Sequence, residues 1–265
     1  MKLRLLLLTL LLSVGCLTAH GQDLRTGVPT ADGGFLVAGD HLAWLDAEGN
    51  ILRKRPLERP LTVMVAVGER LYALDDGGRH LLRLTPDGGV AEREKPPVKG
   101  RLTALAADGN TLWAVTNAGE IAYRKEASGW TVFDFNAQYD GFYPSMDFRA
   151  VAAGGGSVMV AGLRPDGTPA AYTSARGTVW SERPLDYTEQ GLPCLFTAEP
   201  LSLSYDAPQD RYYLAGAGGA LLALPSCSHC NALARYPADT LFARIAGGTK
   251  NLLLGSDGFQ RVEER

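Results

Sequence analysis

Excess positive charge is missing from this sequence. Its 26 Lys and Arg are outweighed by 29 Asp and Glu, for a net charge of −3 and an isoelectric point near 5.8. A chain without a basic stripe lacks the electrostatic footprint of a nucleic-acid binder. Cysteine and histidine are scarce, at 4 each. The histidines are dispersed, with no H-E-x-x-H spacing, so the sequence mark of a zinc protease is absent. No G-x-S-x-G elbow, P-loop or dinucleotide fingerprint occurs in a strand–helix context. Only one long apolar run exists, Leu5 to Leu12 with Thr9 inside it. It is shorter than the roughly 20 residues a membrane-spanning helix needs. Beyond residue 22 no segment of useful length repeats with helical period. At 46% hydrophobic and 21% charged, the chain does not have a disordered composition.

Residues 1–21 read as an export signal. Lys2 and Arg4 precede the apolar run, and Ala19-His20-Gly21 places small residues at the −3 and −1 positions before Gln22. A competing reading sees Ser13-Val14-Gly15-Cys16 as a bacterial lipobox, with Ser13 where Leu or Val is usual and Cys16 as the lipidated residue. Either way the protein is expected outside the cytoplasm: periplasmic, secreted or anchored at the outer membrane. Residues 22–265 carry no linker-like composition break and are read as one domain.

What is abundant is glycine, with 31 residues spread along the chain. Short apolar or alternating runs are separated by turn signals: Glu48-Gly49-Asn50, Asp76-Gly77-Gly78, Pro86-Asp87-Gly88, Asp108-Gly109-Asn110, Pro165-Asp166-Gly167 and Ser256-Asp257-Gly258. Strands at 8–12-residue spacing between such turns predict an all-β fold. The pattern recurs at a longer period. Copies begin at Leu61, Arg101, Phe148, Pro200 and Leu241, after a first copy from about Thr26 to Glu58. A period of 40–50 residues with about four strands per unit is a propeller signature.

On these repeats the chain resembles the β-propeller superfamily, with YVTN/BNR-like repeats of a secreted bacterial type. Thr173-Ser174-Ala175-Arg176-Gly177-Thr178-Val179-Trp180 resembles one Asp-box, with Ala175 replacing its Asp. The expected fold is an all-β propeller of four-stranded antiparallel blades, six by this count, with five as the alternative if the first and last units merge. The last unit lacks a clear fourth strand, so the N-terminal segment is expected to complete it.

The export signal leaves Cys194, Cys227 and Cys230. An oxidising compartment favours a local Cys227–Cys230 disulfide. Cys194 falls in an inter-blade link, on the face opposite Cys227, and should not bond it. A thiol or metal site using Cys227, His229 and Cys230 is the weaker reading, because structural zinc needs a further ligand. No metal or cofactor is expected. His41 and His80 read as surface residues. The carboxylates Asp76, Asp87, Asp108, Asp166 and Asp257 are accounted for by turn chemistry. Trp44, Trp113, Trp130 and Trp180 suit packing between blades, and Arg53-Lys54-Arg55 suits a solvated outer strand.

Two inter-blade links are long, at about 136–147 and 186–200. The first holds Tyr139, Asp140, Phe142, Tyr143 and Asp147; the second holds Tyr187, Glu189, Cys194 and Phe196. Both join a fourth strand to the next first strand, so both belong to one face. Aromatics beside carboxylates suit peptide, protein or sugar contacts. Tyr139, Asp140, Phe142, Tyr143, Asp147, Tyr187 and Glu189 are therefore the candidate binding residues, unless the aromatics fold inward as a plug. The function read from the sequence is a non-catalytic binding or assembly module of the cell envelope. A propeller-type hydrolase (glycosidase or lactonase) is the alternative, and the thiol or metal protein the third reading.

Overall fold

The computed structural model describes residues 24–125, 128–225, 231–236, 241–245, 251–256 and 258–262. Blade 1 comprises β1 (Leu24–Pro29), β2 (Phe35–Gly39), β3 (His41–Leu45) and β4 (Ile51–Pro56). Blade 2 comprises β5 (Leu61–Val67), β6 (Arg70–Asp75), β7 (Leu81–Leu84) and β8 (Val90–Glu94). Blade 3 comprises β9 (Leu102–Asp108), β10 (Thr111–Thr116), β11 (Glu120–Lys125) and β12 (Thr131–Asp134). A one-turn helix α1 (Phe135–Gln138) follows. Blade 4 comprises β13 (Asp147–Gly154), β14 (Ser157–Leu163), β15 (Pro169–Ser174) and β16 (Ser181–Arg183). A separate hairpin, β17 (Asp186–Glu189) and β18 (Leu192–Leu195), precedes blade 5: β19 (Pro200–Asp206), β20 (Arg211–Gly216), β21 (Ala220–Pro225) and β22 (Ala232–Arg235). A last sheet has three strands, β23 (Leu241–Ile245), β24 (Asn251–Gly255) and β25 (Gly258–Val262).

Each sheet is an antiparallel meander in chain order. The first strands β1, β5, β9, β13, β19 and β23 contact one another in sequence, and β23 returns to β1. The ring is closed. The chain is a β-propeller. It has five complete four-stranded blades, the number the sequence reading held as its alternative to six; the last unit contributes a three-stranded closing sheet among the described residues. The N-terminal strand does not complete that sheet, because β1 pairs with β2 as the innermost strand of blade 1.

Burial explains the pattern of the strands. Middle strands lie between neighbouring blades and are apolar on both faces, as in β2 and β24, where every residue is buried. Outer strands are wet and charged: β4 carries Arg53-Lys54-Arg55 and β8 is mostly exposed. Such charges discourage pairing with another chain. Arg55 does more than guard an edge, since it pairs with Asp87 of the next blade at 2.8 Å. Apolar clusters fill each seam of the ring. Phe35, Leu24 and Leu254 join the closing sheet to blade 1, and Phe148, Trp113 and Tyr172 join blades 3 and 4. The tryptophans follow the expectation: Trp113 and Trp180 are buried in a seam, while Trp44 and Trp130 pack partly against two others.

The turns form where Asp-Gly signals predict them. Asp46 Oδ1 accepts the Glu48 and Asn50 amides at 3.0 and 2.7 Å. Hydrogen bonds from Asn50, from Thr85 and from Thr168 hold Asp46, Asp87 and Asp166 below the usual carboxylate range. In the Asp-box-like turn, Ser174 Oγ accepts the Gly177 amide at 2.8 Å, which fills the capping role left open by Ala175. The export signal, Cys16, Cys227, His229, Cys230 and Asp257 lie outside the described residues. Among the described residues no helix is long and apolar enough to cross a membrane.

Candidate functional site

Every innermost strand carries the same irregularity near its start. Its register against the second strand skips one residue: Arg25, Thr62, Thr103, Arg149, Leu201 and Phe242 in turn. A bulge leaves its extra residue unpaired and re-aims the side chain. All six line one cavity of about 380 Å³ at the axial mouth of the ring, with Arg101, Asp75 and Asp76 beside them. Three arginines, 76 and 48 residues apart in the chain, thus meet on one axis.

The mouth has fixed and adaptable parts. Thr103 Oγ1 donates to the Phe148 carbonyl at 2.6 Å and so ties blade 3 to blade 4. Asp75 is buried; its Oδ1 accepts the Gly78 amide at 3.1 Å, and Arg59 lies 3.8 Å from Oδ2. Asp76 is exposed. Arg149 reaches Asp147 Oδ2 at 2.7 Å and Glu199 Oε1 at 3.1 Å. Asp147 and Glu199 close the two long links, so Arg149 is where those links meet.

The first link folds back on the ring. Asp134 N-caps α1 by accepting the Ala137 amide at 3.1 Å. Its carboxyl also takes Lys99 Nζ at 2.7 Å, and this bond, chiefly, holds it below the usual range. Asn136 Oδ1 accepts the Met146 amide at 2.7 Å and pins the far end of the loop. Phe135 is fully buried, and Tyr139 and Tyr143 pack around it against Tyr172. The Tyr139 hydroxyl accepts the Trp180 amide at 2.8 Å and faces the Trp180 carbonyl at 3.3 Å. Tyr139 and Tyr143 are thus half-buried braces of the blade 3–blade 4 seam. Phe142 points out, 74% exposed, and Asp140 is exposed beside it.

The second link, read from the sequence only as a long inter-blade connection, contains a hairpin. Gln190 and Gly191 both have positive φ, at 51° and 82°. Such a pair at the two central positions makes a tight primed turn. The missed signal is the Gln-Gly pair between runs of four residues. Tyr187, Phe196 and Leu185 are buried in the blade 4–blade 5 seam, while Glu189, Leu192 and Leu195 are exposed. The candidate residues therefore split across two successive seams flanking blade 4. Cys194, half-buried in β18, is a free thiol in the described structure. Among the described residues no three His, Cys, Asp or Glu side chains come together to hold a metal.

No family model matches the sequence, and no curated protein matches it. The fold does have solved counterparts. Virginiamycin B lyase from Staphylococcus aureus aligns over 92% of this chain and 86% of its own, with a TM-score of 0.59 and 10% identity. A chain of the nidogen/laminin complex aligns over 86% of this chain and 88% of its own, at 0.63 and 16%. YCF48 from Cyanidioschyzon merolae aligns over 91% of this chain and 95% of its own, at 0.59 and 13%. The likeness is one of fold. A lyase and a member of a protein assembly stand side by side in it, and fold alone does not choose between such functions.

Proposed function

We propose that this chain is an exported, non-catalytic binding module of the cell envelope. It engages a protein or carbohydrate partner through the end of the ring that carries the 136–147 and 186–200 links. One observation carries the reading. Of the six large apolar side chains exposed among the described residues, Phe142, Leu192 and Leu195 belong to these two links, at 74%, 67% and 74% exposure. They are held out on loops whose inward side chains are anchored in the blade seams, and loops on a rigid scaffold are where binding residues concentrate. Aromatic and aliphatic anchors ringed by acids such as Asp140 and Glu189 fit a partner interface. The hydrolase alternative finds less support at the mouth. Asp75 and Asp76 are adjacent in one turn, and the first is committed to Gly78 and Arg59.

The test is capture of envelope components by purified protein. Phe142→Ala combined with Leu192→Ser and Leu195→Ser should abolish capture with thermal stability unchanged. Val179→Ala, which truncates an exposed apolar side chain off the links (72% exposed), should leave capture intact. Capture that survives the triple variant refutes the assignment. Export is checked separately by the intact mass of the native protein, which should begin at Gln22 or at a lipidated Cys16.

A further inference from the structure

The hairpin β17–β18 leans on β22 of blade 5, and a cavity of about 260 Å³ remains between the hairpin and that blade. Phe196 and Tyr187, buried in the blade 4–blade 5 seam, form its floor. Leu233 and Ala217 are its half-buried sides, and the exposed Leu195 is its lip. We propose that this pocket receives the C-terminal residue of a partner polypeptide, an apolar side chain together with its free carboxylate. The inference rests on the partner-binding reading above and names what the partner presents.

The size of the cavity narrows the occupant. It lies below the roughly 300 Å³ at which pockets for separate small molecules begin, so it suits one residue of a larger partner. Apolar anchors of interfaces sit in such desolvated pockets, ringed by side chains that exclude water.

The polar groups at the pocket narrow it further, because two donors there have no partner among the described residues. Tyr187 is nine-tenths buried, yet its hydroxyl makes no hydrogen bond to a described residue. A tyrosine buried this far usually finds one. Arg235 is the one charged side chain lining the cavity, and it has neither an ion pair nor a hydrogen bond among the described residues. Its backbone is fixed opposite Ala220 in the β21–β22 ladder, and the next amide, of Tyr236, donates to the Gly219 carbonyl at 2.9 Å. Gly218 leaves the guanidinium uncovered, since a side chain there would start 3.9 Å from Nη1. The acids that bracket the hairpin in sequence face other arginines: Glu199 pairs with Arg149 at 3.1 Å, and Asp186 acts on Arg183. One uncompensated guanidinium beside a hydroxyl donor selects a single carboxylate. Only at a chain end do a carboxylate and an apolar side chain leave the same Cα, as a one-residue pocket requires.

Calorimetric titration of the purified full chain tests this with the tripeptide acetyl-Ala-Ala-Leu as probe. The controls are its C-terminal amide, acetyl-Ala-Ala-Gly, and 4-methylpentanoate, which is the leucine end without a chain. The tripeptide acid should bind. The amide should bind about tenfold more weakly, for want of charge-assisted bonds. The glycine form should be at least about tenfold weaker, for want of the buried side chain. The free 4-methylpentanoate should also be weaker, because it leaves Leu195 uncovered. Arg235→Gln should weaken the acid by about tenfold and leave the amide unchanged, and Tyr187→Phe should weaken the acid by about fivefold. A residue that merely shaped the rim would weaken acid and amide alike. No binding of the tripeptide acid, equal affinity for acid and amide, an Arg235→Gln loss shared by the amide, or 4-methylpentanoate binding as tightly as the peptide would each overturn the proposal. Envelope capture that depends on Leu192 and Leu195, beside a tripeptide that does not bind, would overturn the pocket and spare the links. A tripeptide that binds as expected, beside a wild type that captures nothing, would uphold the pocket and refute the envelope assignment.

Discussion

Deleting one oxygen atom, as in Tyr139→Phe, separates bracing from binding in the first long link. The hydroxyl accepts the Trp180 amide at 2.8 Å and faces its carbonyl at 3.3 Å, across the seam between blades 3 and 4. The ring itself stays, with its contacts to Phe135 and Tyr143. What is lost is a pair of neutral hydrogen bonds, and a part-buried N–H is left without its partner. Such a deletion costs about 2 kcal/mol. For a chain of this size that lowers the melting temperature by about 4–8 °C. Phe142→Ala is the companion perturbation: the side chain is 74% exposed and loses only ring contacts to Tyr143 and Tyr139, worth about 0.5 kcal/mol at such a site. Differential scanning calorimetry and partner capture should then dissociate. Tyr139→Phe melts early and still binds, while Phe142→Ala melts normally and does not bind. A Tyr139→Phe protein with unchanged melting but lost capture would refute the division of labour within the link.

Other perturbations follow from the same geometry. A Cβ at Gly162 would sit 2.0 Å from the Asp147 carbonyl oxygen and 2.7 Å from Phe148 Cα. Gly162→Ala must therefore shift the blade 4 bulge and cost about 1–3 kcal/mol by denaturant titration, whereas Gly129→Ala, with nothing within 4 Å, should be near neutral. The fully buried Arg244 pairs with Asp206 at 2.6 Å and stacks on Tyr213 at 3.8 Å. Arg244→Ala should cost about 3–5 kcal/mol by leaving a buried charge unmatched, and Arg244→Met with Asp206→Leu should recover most of it. The lowered folded-state affinity of Asp134 for a proton has a definite sign. Its contribution is present above the unfolded value of about 3.9 and disappears as pH falls through the lower folded value. Acid titration should show the wild type losing stability across that window, and Asp134→Asn should have lost it already at pH 7.

The repeat was legible because blades bury the same faces in the same order. Of the turn carboxylates read from the sequence, Asp166 serves its own turn by accepting the Thr168 amide, whereas the Asp76-Gly77-Gly78 turn is capped by Asp75, one residue earlier. The blade count was legible only as the alternative of five. The last copy, from Leu241, shows three apolar runs in sequence as it shows three strands in space, and the expected completion by the N-terminus failed because Leu24–Pro29 is itself an innermost strand. The second link was misread because its inward residues, Tyr187 and Phe196, look in sequence like the exposed Leu192 and Leu195. The axial mouth was invisible. A register shift leaves no mark on an alternating pattern, and Arg25, Thr62, Thr103, Arg149, Leu201 and Phe242 share position while spanning four residue types.

The closing sheet has a consequence for how the ring opens. Within every blade the strands are stitched by ladder hydrogen bonds, but among the described residues β23 and β1 share no ladder and pack through side chains such as Leu24, Phe35 and Ile245. Among the described residues, separating that seam breaks no strand ladder; it wets apolar surface and parts Arg25 from the Phe242 ring. The molecule behaves as a band with an unlatched clasp: amides of β1 and β24 can keep their ladders, and their slow exchange with solvent, while the ring is parted.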